Sequence, residues 1–321
     1  MVSVGVVGLG AMGLNHVRTL KSMDEVDFIF AFDPDPAVVE PSGVERLKSL
    51  SDLVETDLAY CVLASPSSQH LEGAAVLIGA KMNVLIEKPV ADSLSNAKAI
   101  EELSLREPES AVRVGHVERF NPSIVEMWKR VSKGEIGELY AISTVRRGPP
   151  PNRYIDTGVS LDLGVHDFDL ARCISASDYK WVRASSRMRT DHESEGLIRV
   201  IGELESGVVI DHAIDWQTPQ KMRQVSVLGS EGMLIADLLT ADLTLFSPAN
   251  LELEWQNLAL LRGGSQGAVT RYAFPKVEPI RSQHLAFMSL LSDETVGNLA
   301  TVQDGVRAVE ISGMVTSSRT P

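Results

Sequence analysis

The chain has 321 residues, 44% hydrophobic and 23% charged, with a formal net charge of −13. That length supports two domains, each with its own core, and the acidic balance excludes the basic face that non-specific nucleic-acid binding requires. No apolar run reaches the roughly 20 residues of a membrane span, no signal-peptide pattern follows Met1, and two cysteines, Cys61 and Cys173, make no disulfide framework, so a cytoplasmic protein with small-molecule partners is expected.

From residue 1 to about 117, short apolar runs alternate with helical patterns. Strands are predicted at Ser3–Val7, Asp27–Phe32, Ala59–Ala64, Asn83–Glu87 and Val112–Gly115, and helices near Gly13–Ser22, Ser68–Ala80 and Ser95–Arg106. Strands that are apolar along most of their length, alternating with helices, predict a doubly wound parallel sheet. Gly8, Gly10 and Gly13 follow the first strand in G-x-G-x-x-G spacing and open the first helix. In that context Gly8 permits a tight turn, Gly10 admits a pyrophosphate, and Gly13 lets helix pack on strand, with the helix N-terminus favouring negative charge. Asp33 ends the second strand, where a carboxylate binds the adenosine ribose. No Lys or Arg lies between Pro34 and Glu45, so no clamp for a 2′-phosphate is evident there and NAD is the expected cofactor. His16 and His70 fall near predicted helix N-termini on the cofactor side, where packing and capping roles are equally open.

At the end of the fourth strand, "VLIEKPVA" places Glu87, Lys88 and Pro89 on the ligand-bearing edge of such a sheet. Proline biases Lys88 towards extended backbone, projecting its ammonium from that edge. There it can stabilise alkoxide charge on a reacting hydroxyl. The segment "GHVERFNP" marks the domain boundary, with His116 at a strand end and Asn121–Pro122 starting a helix to about Ser132. Beyond it, strand-like runs at Leu139–Arg146, Lys180–Thr190, Gly196–Leu204, Val208–Trp216, Gln224–Leu228, Met233–Asp237 and Leu243–Phe246 predict an open, mainly antiparallel sheet. Helices near Arg281–Leu291 and Val302–Thr316 complete a second α+β domain. The expected division is therefore residues 1–120 and 121–321.

One stretch, "DTGVSLDLGVHDFDLARC", mixes acids with apolar residues at helical spacing. Asp162, His166 and Asp169 fall at i, i+4 and i+7 and are predicted to share a face, while Leu161, Val165, Phe168 and Leu170 hold the helix against the second domain's sheet. Such a face can tune an imidazole as a general base. It can also hold a metal ion, although a nicotinamide reaction needs none. Arg119, Arg146, Arg147 and Arg153 flank the site in sequence and offer positive charge for a diphosphate. Arg119 and Arg147, with Asn121 as a polar contact, are the stronger candidates.

Taken together, the glycine fingerprint, "ASPSSQH", "EKP", the Arg119–Phe120–x–Pro122 junction and Asp-x-Gly-x-His resemble the glucose-fructose oxidoreductase/inositol dehydrogenase (Gfo/Idh/MocA) family over nearly the whole chain. The resemblance implies NAD contacts at Gly8, Gly10, Ala11, Met12, Gly13, Asp33, Ser65, Pro66, His70, Glu87 and Lys88. It implies catalysis by Lys88, His166 and Asp162, with substrate contacts at those three and at Arg119, Asn121 and Arg147. Ser67 stands where many relatives carry Asn, a departure confined to the cofactor-side loop. Within the family, "RRGPPPNRYIDTGVSLDLGVHDFDL" and "GHVERFNP" resemble the subgroup that oxidises the C3 hydroxyl of UDP-N-acetylglucosamine. An inositol or simple-sugar dehydrogenase, a glycosidase that recycles NAD, and a non-catalytic nucleotide sensor are the alternatives. The resemblance also implies a homo-oligomer, a homodimer or homotetramer, and no metal is expected because the nicotinamide chemistry requires none.

Overall fold

The structure is a computed structural model and describes residues 2–150, 157–188, 194–248, 267–292, 294 and 297–318. It separates into two compact units: Met1–Phe120 with Ile155–Asp169 and Val277–Ser317, and Asn121–Tyr154 with Leu170–Lys276 and Ser318–Pro321. The expected contiguous division 1–120 and 121–321 is corrected by this grouping, because two later segments cluster with the first.

The first unit is built on a six-stranded sheet in the order β3-β2-β1-β4-β5-β6. Its strands are β1 (Val2–Val7), β2 (Val26–Phe32), β3 (Glu45–Arg46), β4 (Tyr60–Leu63), β5 (Val84–Glu87) and β6 (Val112–Gly115). Every pairing is parallel, and β4 and β5 are buried along their whole length, as strands covered on both faces must be. The covering helices are α1 (Ala11–Leu20), α2 (Leu50–Glu55), α3 (His70–Gly79) and α4 (Leu94–Arg106). Local chemistry starts two of them: Ser49 and Asp52 form a capping box on α2, and Ser93 accepts the Asn96 N–H on α4, each satisfying backbone donors that a helix leaves open.

Two C-terminal helices complete this unit, α7 (Pro279–Leu291) and α8 (Val302–Ser317). Val302, Val306 and Val309 of α8 join one core cluster with Val90, Ile100, Val112 and Val114, and Phe287 of α7 joins the other with Val17, Leu20 and Tyr60. These apolar faces have their partners on the first sheet, which is the physical reason for the corrected division. Leu161 also packs against the first cluster.

The second unit carries an eight-stranded sheet in the order β14-β13-β12-β11-β7-β10-β9-β8. Its strands are β7 (Leu139–Arg147), β8 (Tyr179–Met188), β9 (Glu195–Leu204), β10 (Val209–Asp215), β11 (Met222–Gly229), β12 (Gly232–Asp237), β13 (Asp242–Phe246) and β14 (Val269–Arg271). Only the central β10–β7 pair is parallel, so the expected open, mainly antiparallel sheet is found. Helix α5 (Pro122–Ser132) starts on Asn121, whose side chain accepts from Ser123 N. Helix α6 (Val165–Ser175) spans the division, its residues through Asp169 grouping with the first unit. Among the described residues, no helix is long and apolar enough to cross a membrane.

Candidate active site

The loop between β1 and α1 is shaped for a ligand that approaches closely. Gly8 has φ +90°, and a Cβ on Gly13 would lie 1.9 Å from Gly8 O, so the helix can begin there only with glycine at both positions. Gly10 differs: a Cβ there would meet nothing within 4 Å. Its requirement is open space in front of α1. No side chain caps α1 and no acid stands in its first turn, which leaves its N–H groups for an anion. Gly10 and Ala11 are exposed, and Met12 is half-buried.

Asp33 ties this loop to β2. Its Oδ2 accepts the Leu9 N–H at 2.7 Å and its Oδ1 accepts the Asp35 N–H at 2.9 Å. Beside it lies a cavity of about 410 Å³ lined by Phe32, Asp33, Pro34, Pro36, Arg46, Leu47 and Lys48. Open space at Gly10, free donors at the α1 N-terminus and this cavity beside a carboxylate fit a dinucleotide. Arg46 and Lys48 lie just beyond Glu45, outside the stretch that lacks Lys and Arg. The Arg46 guanidinium donates to the carbonyls of Val38, Asp33 and Asp35, while Lys48 is exposed.

At the end of β5, Lys88 precedes Pro89 through a cis peptide bond. Lys88 Nζ donates to Asp162 O at 2.9 Å and stands 3.4 Å from Asp162 Oδ1, with both side chains largely buried. Asp162 lies in a single π-helical turn, Ser160–Gly164, that runs directly into α6 and His166; such turns recur at functional sites. The structure thus brings Lys88, Asp162 and His166 into one unit. Asp169, predicted on the same face, is committed elsewhere: Arg119 donates to its two carboxylate oxygens at 2.8 Å and 2.5 Å.

The Arg119 guanidinium is buried, bonded to Asp169 and 3.2 Å from Asp304, so its charge is matched within the fold. Asn121 accepts from Ser123 and donates to Leu238 O while 5% exposed. His70 and Glu87 are both buried. The buried His70 ring bridges Ser65 O at 2.9 Å to Pro89 O and Val90 O at 3.1 Å and 3.2 Å, tying the Ser65–Pro66 loop to the segment after Lys88. Burial lowers its pKa, partly offset by those carbonyls and by Glu87. Glu87 is bonded to His16 instead.

His116 is fully buried beside Asp169, its Nδ1 3.6 Å from Asp169 Oδ2, and burial lowers its pKa. Arg147 lies in the second unit, half-exposed, with Nε 3.7 Å from the buried Asp215. Arg199 donates to the same carboxylate at 3.0 Å and Arg223 donates to the Arg147 carbonyl. Arg153 lies outside the described residues. Missed from sequence were Asp304, Asp215, Tyr60 and His284; the last two carry no motif, and only the fold brings them beside His16. Among the described residues, no three His, Cys, Asp or Glu side chains are grouped to hold a metal ion.

A doubly wound parallel sheet whose first strand turns through glycines into an uncapped helix defines a dinucleotide-binding protein. Two family models place it further: "Oxidoreductase family, NAD-binding Rossmann fold" matches residues 2–116, and the GFO/IDH/MocA C-terminal domain matches 124–235. The chain belongs to the GFO/IDH/MocA family of oxidoreductases, and its first unit carries that family's NAD-binding domain. It is similar to inositol 2-dehydrogenase 2 of Saccharopolyspora erythraea, 30% identical over 224 residues, a match spanning 65% of each chain. Its fold is that of UDP-N-acetylglucosamine 3-dehydrogenase from Acidithiobacillus ferrooxidans, with a TM-score of 0.82 at 18% identity over 99% of this chain and 97% of that one. The scyllo-inositol dehydrogenase of Lactobacillus casei, solved with NAD(H) and scyllo-inositol, gives 0.79 at 19% identity over 99% and 97%.

Proposed function

We propose that the protein is an NAD-dependent dehydrogenase that oxidises a ring secondary hydroxyl to a ketone. The observation that carries this reading is the Lys88 ammonium held by Asp162 at a strand end of the sheet that bears the dinucleotide cradle. NAD, when bound, accepts the hydride from the alcohol carbon. Lys88 donates a hydrogen bond to the reacting oxygen and stabilises the negative charge that develops there. His166 removes the hydroxyl proton as general base. Asp162 holds the ammonium in place and binds a neighbouring hydroxyl. Ser65 and Pro66 border the cofactor on the loop that His70 fixes.

For the substrate we favour a nucleotide sugar, with the C3 hydroxyl of UDP-N-acetylglucosamine as the first candidate. Arg147 and Arg199 share the single carboxylate of Asp215, and Arg223 donates to the Arg147 carbonyl beside them, a local grouping of guanidinium on an acidic chain that suits a diphosphate. The 30% identity to an inositol 2-dehydrogenase favours a second reading, an inositol or unphosphorylated sugar.

An NADH-production screen over inositols, free sugars and UDP-sugars separates these readings. Turnover of UDP-N-acetylglucosamine but not of N-acetylglucosamine supports the first, and turnover of inositols the second. Sugar release without net NADH identifies a glycosidase, and NAD binding with no turnover a sensor. Within an active enzyme, Lys88→Ala lowers kcat by about 10²–10³-fold and leaves the Kd for NAD near its original value. Unchanged turnover in that variant removes Lys88 from the chemistry.

A further inference from the structure

Four polar side chains stand in series inside the first unit. Tyr60, His284, His16 and Glu87 are each at most 3% exposed. Tyr60 Oη lies 2.8 Å from His284 Nδ1, His284 Nε2 lies 3.0 Å from His16 Nδ1, and His16 Nε2 lies 2.9 Å from Glu87 Oε1. The other carboxylate oxygen, Oε2, accepts the backbone N–H of Lys88 at 3.2 Å. His16 lies on α1, the helix whose N-terminus forms the dinucleotide cradle, so the series joins that helix to the strand end that carries Lys88.

One end of the series fixes a proton. Burial works against the Glu87 charge, but the hydrogen bond from His16 and the nearby Lys88 outweigh it and hold the carboxyl below its ordinary value. A carboxylate only accepts, so His16 donates through Nε2. At the far end, burial raises the Tyr60 hydroxyl far above its usual range, so it keeps its proton. Burial and the neighbouring His16 keep His284 well below its ordinary value, hence neutral, bonded on one side to Tyr60 and on the other to His16. Linked polar groups of this kind reinforce one another in a low-dielectric interior.

Because Tyr60 is sealed in the core, the series has no solvent end and conducts no proton. Its consequence is positional. Glu87 is fixed at one oxygen by His16 and grips the Lys88 backbone with the other. Gly115, opposite Glu87 in the β5–β6 register, leaves room for this, since a Cβ there would lie 2.7 Å from Glu87 Oε1.

We propose that the buried Tyr60–His284–His16–Glu87 series positions the Lys88 ammonium relative to the dinucleotide cradle, with Glu87 and His16 as positioning residues for the reaction. This rests on the reading of Lys88 as the group that polarises the reacting oxygen.

Glu87→Gln separates positioning from space filling. The shape is kept, but whichever way the amide is turned, its NH2 faces either His16 Nε2–H or the Lys88 N–H, so one of the two grips is lost. The expected result is a kcat about ten- to a hundredfold lower with the Kd for NAD unchanged. Tyr60→Phe, four hydrogen bonds away from Lys88, gives a smaller fall in the same direction. Lys88→Ala is measured beside them. Retained turnover there removes the reading of Lys88 and this proposal with it. Lost turnover there, with wild-type kcat in both Glu87→Gln and Tyr60→Phe, overturns the positioning role alone. On the unaltered protein, ring ¹⁵N shifts are expected to report a proton on His16 Nε2. A bare Nε2 there overturns the proposal, and this measurement decides the matter even where Glu87→Gln fails to fold.

Discussion

Arg119 and Asp169 are joined by two short charge-assisted hydrogen bonds, and both side chains are almost wholly removed from water. Deleting one partner strands the other charge, a change that costs about 3–5 kcal/mol in buried pairs. Arg119→Met is therefore expected to lower the urea midpoint by a corresponding amount, while Arg119→Met with Asp169→Leu recovers much of the loss. A single variant as stable as the unaltered protein would show that the pair contributes nothing. Asp33 gives a prediction about affinity. With Lys48 lining the same cavity, Asp33→Ser is expected to weaken NAD binding by about tenfold, the worth of one charge-assisted hydrogen bond, and to narrow the gap to NADP. Equal losses for the two cofactors would place the effect in the Leu9 contact instead. At this scale sequence reading reached the types of residue but not always their partners. The spacing of Asp162, His166 and Asp169 fits one helix face, yet nothing in it announces that Arg119, 50 positions earlier, would take Asp169. Likewise a lone His284 looks inert until α7 brings it to His16.

Among the elements, the alternation of buried strands and amphipathic helices was legible because hydrophobic periodicity follows directly from which face meets the core. β6 is found at its predicted bounds and most other elements within a residue or two. Short elements were not legible. The two-residue β3, the three-residue β14 and the six-residue α2 are too short to carry a period, and the π-helical turn at Ser160–Gly164 satisfies the same apolar pattern as an α-helix. The packing of α8 was equally hidden, since its apolar stripe does not say which sheet it covers. Gly305 records the answer: a Cβ there would lie 2.9 Å and 3.1 Å from atoms of Val114 and Val90. Gly305→Ala is expected to destabilise the first unit by about 1–3 kcal/mol through overpacking, read as a lower thermal midpoint, with no change when NAD affinity is measured well below the transition.

For the whole molecule, acid is the expected weakness. Burial holds His212 down to about 3 and keeps His70, His116 and His284 below their ordinary value of 6.5. The unfolded chain, with ordinary histidines, therefore binds more protons than the folded one as pH falls below about 6.5. Their contribution is complete above that value and declines through the window down to the folded pKa values, by up to about 1.4 kcal/mol per pH unit for each histidine. Glu87, whose pKa is also lowered from 4.5, acts in the same direction but only below about pH 4.5. Urea midpoints should thus drop between pH 7 and pH 5. A flat profile over that range would mean these rings take up protons in the folded state as they do in the unfolded chain.

The grouping of Val277–Ser317 with the first 120 residues also sets an order of events during synthesis. The parallel sheet emerges from the ribosome early, but the valines of α8 that cover Val90 and Val114 arrive only after every strand of the second unit has been translated. Until then the nascent first sheet presents an open apolar face, a state in which incomplete domains associate wrongly. A chaperone that shields exposed apolar surface would be expected to engage this protein through most of its translation and to release it only when the last helix docks.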